Sequence, residues 1–176
     1  AGDNKTLFYT RKDAQTLRSD KVYKHTLGTD ASADTMVFHE KDDTFSTFVY
    51  KEKSKKYLVI GSSSTLTSEY QILDAKNPNG EFRVFQKRTR GLEYSISHYG
   101  DSFFIVTNKD KATNFKLMKT PETATSAENW KDLIGHRKDV LLEGIEIFRD
   151  YLVVEERSNG LNKIQIRPWN GKGEYY

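Results

Sequence analysis

The groups in this sequence that could do chemistry are hydroxyl nucleophiles, carboxylate pairs and histidines, and their spacing decides what each can do. Gly61-Ser62-Ser63-Ser64-Thr65 comes nearest to the Gly-x-Ser-x-Gly nucleophile elbow. Thr65 stands where the second glycine belongs, no helical pattern follows, and the stretch reads as a polar hairpin connection. No Gly-Lys-Ser/Thr sequence closes a phosphate loop. His25, His39, His98 and His136 fall in no metal-ligand spacing, each at or near the end of a strand-like run. With no cysteine, a zinc site would have to gather His and carboxylates from distant segments, so no metal or cofactor is expected. Asn108-Lys109-Asp110 lacks the glycine of a calcium loop. Two carboxylate groups remain, Glu40-Lys41-Asp42-Asp43 and Glu155-Glu156-Arg157. Paired carboxylates act on glycosidic bonds when they converge on one pocket; here they read as connection and turn residues. The basic clusters Lys51–Lys56 and Lys87-Arg88-Arg90 contain none of the interleaved aromatics of a nucleic-acid groove. They read as exposed, solubilising turns.

The elements that must position these residues are strands. Ten Tyr and ten Phe among 176 residues, with 36% hydrophobic and 30% charged, fit a globular β-type chain rather than a disordered one. A net charge of +3, with the signs interleaved, does not argue for nucleic acid. No apolar stretch approaches the roughly 20 residues of a membrane span. The polar opening AGDNKT does not read as a signal peptide, and the lack of cysteine fits a reducing, cytoplasmic setting.

Leu92–Lys119 sets the pattern. Leu92, Tyr94 and Ile96 alternate with Glu93, Ser95 and Ser97, as in a half-buried strand; the FFIV of Phe103–Thr107 is apolar on both faces; Phe115–Lys119 and Trp130–Ile134 follow. Strands are expected likewise at Leu7–Thr10, Lys21–His25 and Thr35–His39. A second group is Phe45–Tyr50, Tyr57–Ile60, Glu69–Leu73 and Phe82–Phe85, and the last is Val140–Phe148, Tyr151–Val154 and Lys163–Ile166. The second strands of the four groups begin at Leu7, Tyr57, Phe103 and Tyr151, at intervals of 50, 46 and 48. Four strands inside a period near fifty point to β-propeller blades rather than a helical solenoid. One helical turn is expected, at Ser126–Trp130. Asn159-Gly160 is the strongest hairpin signal, because both residues tolerate positive φ.

The expected architecture is all-β, with blades over residues 7–40, 45–86, 92–135 and 140–170. The first group lacks its first strand, and the last, ending in NGKGEYY, lacks a convincing fourth. About three and a half blades do not close a ring, so the chain reads as a propeller fragment.

The runs EKDDTF (Glu40–Phe45), TSEYQILDA (Thr67–Ala75), EYSISHYGDSFFIVTN (Glu93–Asn108) and EGIEIFRDYLVVEERSNGL (Glu143–Leu161) carry a further signal. In order and without large gaps, they resemble the β-propeller of oligopeptidase B (protease II), in the prolyl oligopeptidase family of serine peptidases. The resemblance implies a seven-bladed propeller paired with an α/β-hydrolase domain whose Ser-Asp-His triad cleaves short peptides after Lys or Arg. It implies a gating role for the propeller. The nucleophile motif and the hydrolase domain are missing from this chain, so no catalytic residue carries over, and the chain alone is expected to be inert.

By the meander order the innermost strands are Phe45–Tyr50, Leu92–Ser97 and Val140–Phe148. Asp43, His98 and Arg149, at their ends, are the candidates for the cavity or the interdomain face. Expected partners are the hydrolase domain, short basic peptides and, through open blade edges, a second copy. The competing readings are a free-standing propeller that binds peptides or proteins and a glycoside-acting propeller.

Overall fold

The computed structural model describes residues 1–170. Its strands are β1 (Thr6–Lys12), β2 (Ser19–Thr26), β3 (Thr35–His39), β4 (Ser46–Lys51), β5 (Tyr57–Ser63), β6 (Ser68–Asp74), β7 (Arg83–Val84), β8 (Tyr94–Tyr99), β9 (Ser102–Thr107), β10 (Lys116–Pro121), β11 (Lys131–Ile134), β12 (Leu141–Ile147), β13 (Tyr151–Ser158) and β14 (Leu161–Pro168). They form four sheets whose neighbours are consecutive strands: β1–β3, β4–β7, β8–β11 and β12–β14. Every pairing is antiparallel. Short 3-10 turns at Ala31–Ala33, Lys109–Lys111 and Ala127–Asn129 supply the helix among the described residues. The last falls inside the expected turn at Ser126–Trp130. The first sheet has three strands, as the pattern predicted. The doubtful fourth strand of the last group lies outside the described residues beyond Asn170.

The chain divides into two compact units, Ala1–Gly91 and Leu92–Tyr176. In the first, Leu58, Leu73 and Ala75 form a buried cluster on which Phe8 and Phe82 pack, their two rings edge to face with centroids 5.7 Å apart. In the second, one cluster joins Phe104, Val106, Leu117 and Ile134 from the β8–β11 sheet to Leu142, Ile147, Leu152 and Val154 from the β12–β14 sheet. Each such side chain contributes roughly 1.5–3 kcal/mol through burial.

Burial follows position in each meander. β9 is buried at all six positions, as expected for a run apolar on both faces. β8 alternates: Tyr94, Ile96 and His98 are buried.

Many strand ends differ from the expected ones by one to four residues, and three of the differences have a visible cause. β8 starts at Tyr94 rather than Leu92 because side chains end the ladder there: the Glu93 N–H donates to Asn108 Oδ1 at 2.9 Å and Thr107 Oγ1 donates to the Glu93 carbonyl at 2.8 Å. β7 shrinks to two residues because Phe82 is drawn onto the Leu58 cluster. β13 runs on through Glu155, Glu156 and Arg157 to Ser158. Asn159 and Gly160, at φ 51° and 76°, make a turn so tight that pairing persists to Ser158 and Leu161.

Gly61 pairs with Phe48 across β4 and β5, and a Cβ there would lie 2.3 Å from the Phe48 ring. The glycine lets an aromatic ring lie across the strand. Ser62 sits near the end of β5, still paired with β4 and β6 and buried, its hydroxyl 3.1 Å from Thr47 Oγ1. This stretch is a ladder and not a nucleophile elbow.

Candidate functional site

β3 ends at His39, and the connection to β4 is folded by its own polar side chains. Asp42 N–H donates to Glu40 Oε1 at 3.1 Å, and Thr44 N–H donates to Asp42 Oδ1 at 3.0 Å, a turn that short acceptor side chains favour. Two arginines hold this connection. Arg18 donates to the carbonyls of Phe45 at 2.6 Å and Asp42 at 3.2 Å. Arg88, following β7, donates through Nη2 to Glu40 Oε2 at 2.5 Å. The same nitrogen lies 3.3 Å from Glu69 Oε1, while Nη1 is 3.9 Å from Asp42 Oδ2. The guanidinium carbon sits 3.7 Å from the Phe45 ring centroid, a cation–π contact.

Burial alone would raise the Glu40 pKa. The Arg88 guanidinium, the Asp42 N–H and the Ser62 hydroxyl outweigh it and hold the carboxyl below its ordinary value. Above this cluster a pocket of about 400 Å³ opens between the connection and the β5–β6 turn, with Asp42, Phe45, Thr67, Arg88 and Arg90 in its lining. It offers cation, carboxylate and aromatic wall together, which suits binding rather than bond-breaking.

The three residues singled out from the sequence are placed as follows. Asp43 is exposed, just before β4. His98 is buried near the far end of β8, its Nε2 3.0 Å from Glu122 Oε2 and its ring 4.8 Å from Phe103. Arg149 lies beyond the end of β12, its side chain 89% exposed and paired with Asp150 at 3.1 Å. Arg149 is reached by the residue after His98: the Tyr99 hydroxyl donates to the Arg149 carbonyl at 2.6 Å, and Tyr99 stacks on Trp169. Asp43 stands at the start of its sheet's first strand, whereas the other two stand at the ends of theirs.

The remaining sequence candidates are held in local pairs. His25 Nδ1 is 2.6 Å from Asp34 Oδ1, His39 is 3.5 Å from Asp20, and His136 accepts from Asn114 N–H at 3.3 Å. Glu156 is buried and bonded to Arg137; Arg157 pairs with Glu143 at 2.5 Å. No group of three or more His, Asp or Glu able to hold a metal occurs among the described residues. Among the described residues no helix is long and apolar enough to cross a membrane.

Arg88 corrects the sequence reading of its cluster. It is not a solubilising turn residue but the centre of a half-buried ion-pair network. The available signal was spacing: Glu40 and Arg88 are 48 residues apart, one repeat of the meander. They are thus corresponding exits from consecutive blades, and charges so placed can meet across one blade step.

Consecutive antiparallel meanders of three and four strands, repeated at this period, define a β-propeller fragment of about three and a half blades. A family model described as "Prolyl oligopeptidase, N-terminal beta-propeller domain" matches residues 1–174. The chain is 42% identical to the dipeptidyl aminopeptidase BI of Pseudoxanthomonas mexicana, over 98% of its own length and 24% of that protein's. It is 33% identical to the Protease 2 of Moraxella lacunata over 91% of this chain and 23% of that protein. Among solved structures, oligopeptidase B from Leishmania major superposes with a TM-score of 0.87 at 34% identity, covering 93% of this chain and 23% of that one. The chain belongs to the prolyl oligopeptidase family, within its N-terminal β-propeller domain, and spans about a quarter of the relatives it matches.

Proposed function

We propose that the chain is the gating portion of an oligopeptidase B-like serine peptidase that cleaves short peptides after Lys or Arg. The observation that carries this reading is the superposition on oligopeptidase B over 93% of the chain. In this account an α/β-hydrolase domain elsewhere in the parent supplies the Ser-Asp-His triad, and the propeller limits entry to slender peptides. This portion alone is inert, the parent works in the cytoplasm, and strand edges left unpaired among the described residues let isolated copies associate. Asp43, His98 and Arg149 are proposed for the cavity or the interdomain face.

A second reading is favoured by one observation, the 42% identity to a dipeptidyl aminopeptidase. In it the parent removes dipeptides from free N-termini. The test uses the intact protein with two chromogenic substrates, an N-blocked Arg-linked peptide and a dipeptide with a free N-terminus. Each is run with and without an active-serine reagent. Cleavage of the blocked Arg substrate, lost with the reagent, supports the first reading. Cleavage of the free-N-terminus substrate alone supports the second, and turnover of only a β-linked sugar overturns both.

A further inference from the structure

The pocket beside the Glu40–Arg88 pair contains one charge that the fold does not use. Arg90 lines the pocket and is exposed, and it has no hydrogen-bond or ion-pair partner among the described residues. Arg88 differs: Glu40 and Glu69 bind it from one side and Phe45 covers it from another. Asp42 spends Oδ1 on the Thr44 N–H and hydroxyl, while Oδ2 has only the distant Arg88 Nη1 at 3.9 Å. Thr67 Oγ1 accepts from the Gly91 N–H at 3.0 Å and keeps its own proton to donate. The pocket therefore presents an unsatisfied guanidinium, a hydroxyl donor, a carboxylate oxygen with spare capacity and an aromatic wall. Its volume of about 400 Å³ suits a small ligand.

These groups match the end of a peptide. We infer that the pocket takes the carboxyl terminus of a short peptide, Arg90 binding the carboxylate and Asp42 Oδ2 accepting from a peptide N–H. Guanidinium and carboxylate are a geometrically matched pair, planar and two-pronged. The Thr67 hydroxyl adds a third contact, and Phe45 takes an apolar side chain. That the ligand is a peptide rests on the peptidase reading; preference for a carboxylate rests on the pocket alone.

The experiment is calorimetric titration of the intact protein with N-acetyl-phenylalanyl-glycine and with its C-terminal amide, neither of which offers a Lys or Arg to cleave after. The free acid should bind about tenfold more tightly than the amide. Arg90→Gln should abolish that difference, Arg90→Lys should keep part of it, and the exposed neighbour substitution Lys87→Gln should leave it intact. Because Arg90 is exposed and unpaired, these variants fold as the parent does. Equal affinity for acid and amide, no binding of either, or a preference that survives Arg90→Gln would each overturn the assignment. Failure to hydrolyse an Arg-linked peptide would count against the peptidase reading and not against the pocket.

Discussion

Glu40 shows how a single side chain acquires a task from its surroundings. Glu40→Gln leaves Arg88 beside Glu69 with its best partner gone, and should cost about 2 kcal/mol, read as a lower urea midpoint. Replacing Arg88 by Met in that background should recover part of the loss, since a half-buried cation that has lost its main partner is costly. The pH dependence has a definite sign. The carboxyl of Glu40 titrates below its ordinary 4.5 in the folded chain. Its contribution is therefore complete above that value and is lost as pH falls through the folded pKa. The stability gap between the parent and Glu40→Gln should narrow below about pH 4.5; a gap that held constant into acid would count against the pairing. Gly61→Ala is a second test at this scale. The new methyl would drive the Phe48 ring off the strand, at about 1 kcal/mol. Phe48→Ala in the same chain should make the alanine harmless, checked by the same unfolding curves.

Strands follow from local chemistry, and most of them were legible for that reason. The alternation in Leu92–Ser97 and the unbroken apolarity of Phe103–Thr107 reflect how much of each face is buried, which sequence encodes directly. The misplaced ends were decided by contacts that local pattern does not contain: the Asn108 side chain at β8, the pull of the Leu58 cluster on Phe82, and the pairing forced through Glu155–Arg157. The Asn159-Gly160 turn is the sharpest element-level test. Gly160→Val places a β-branched residue at φ 76°, where such residues are strained. It should cost about 1–2 kcal/mol and loosen the β13–β14 hairpin first, seen as faster amide exchange in β14 than in β9. Asp34, in the loop before β3, ties β1 to β2, accepting from the Tyr9 hydroxyl at 2.6 Å and lying 2.6 Å from His25. This pairing was invisible in sequence because the histidine's partner comes from a loop rather than from a motif.

At the scale of the molecule, the repeat was the readable feature and the site was not. Intervals near fifty residues identify blades without any knowledge of their contacts. The Arg88 network and the pocket require two blades in register, and nothing local to Lys87-Arg88-Arg90 separates a buried guanidinium from a solvated one. Gating makes a demand on size that simple binding does not. The direct measurement is cleavage of one Arg-containing sequence by the intact protein, presented either as a free peptide of about ten residues or as a loop of a folded protein, with the fragments followed by mass. The account predicts rapid cleavage of the free peptide, abolished by an active-serine reagent, and none of the folded carrier. Comparable rates on both, or cleavage that ignores the serine reagent, would contradict it.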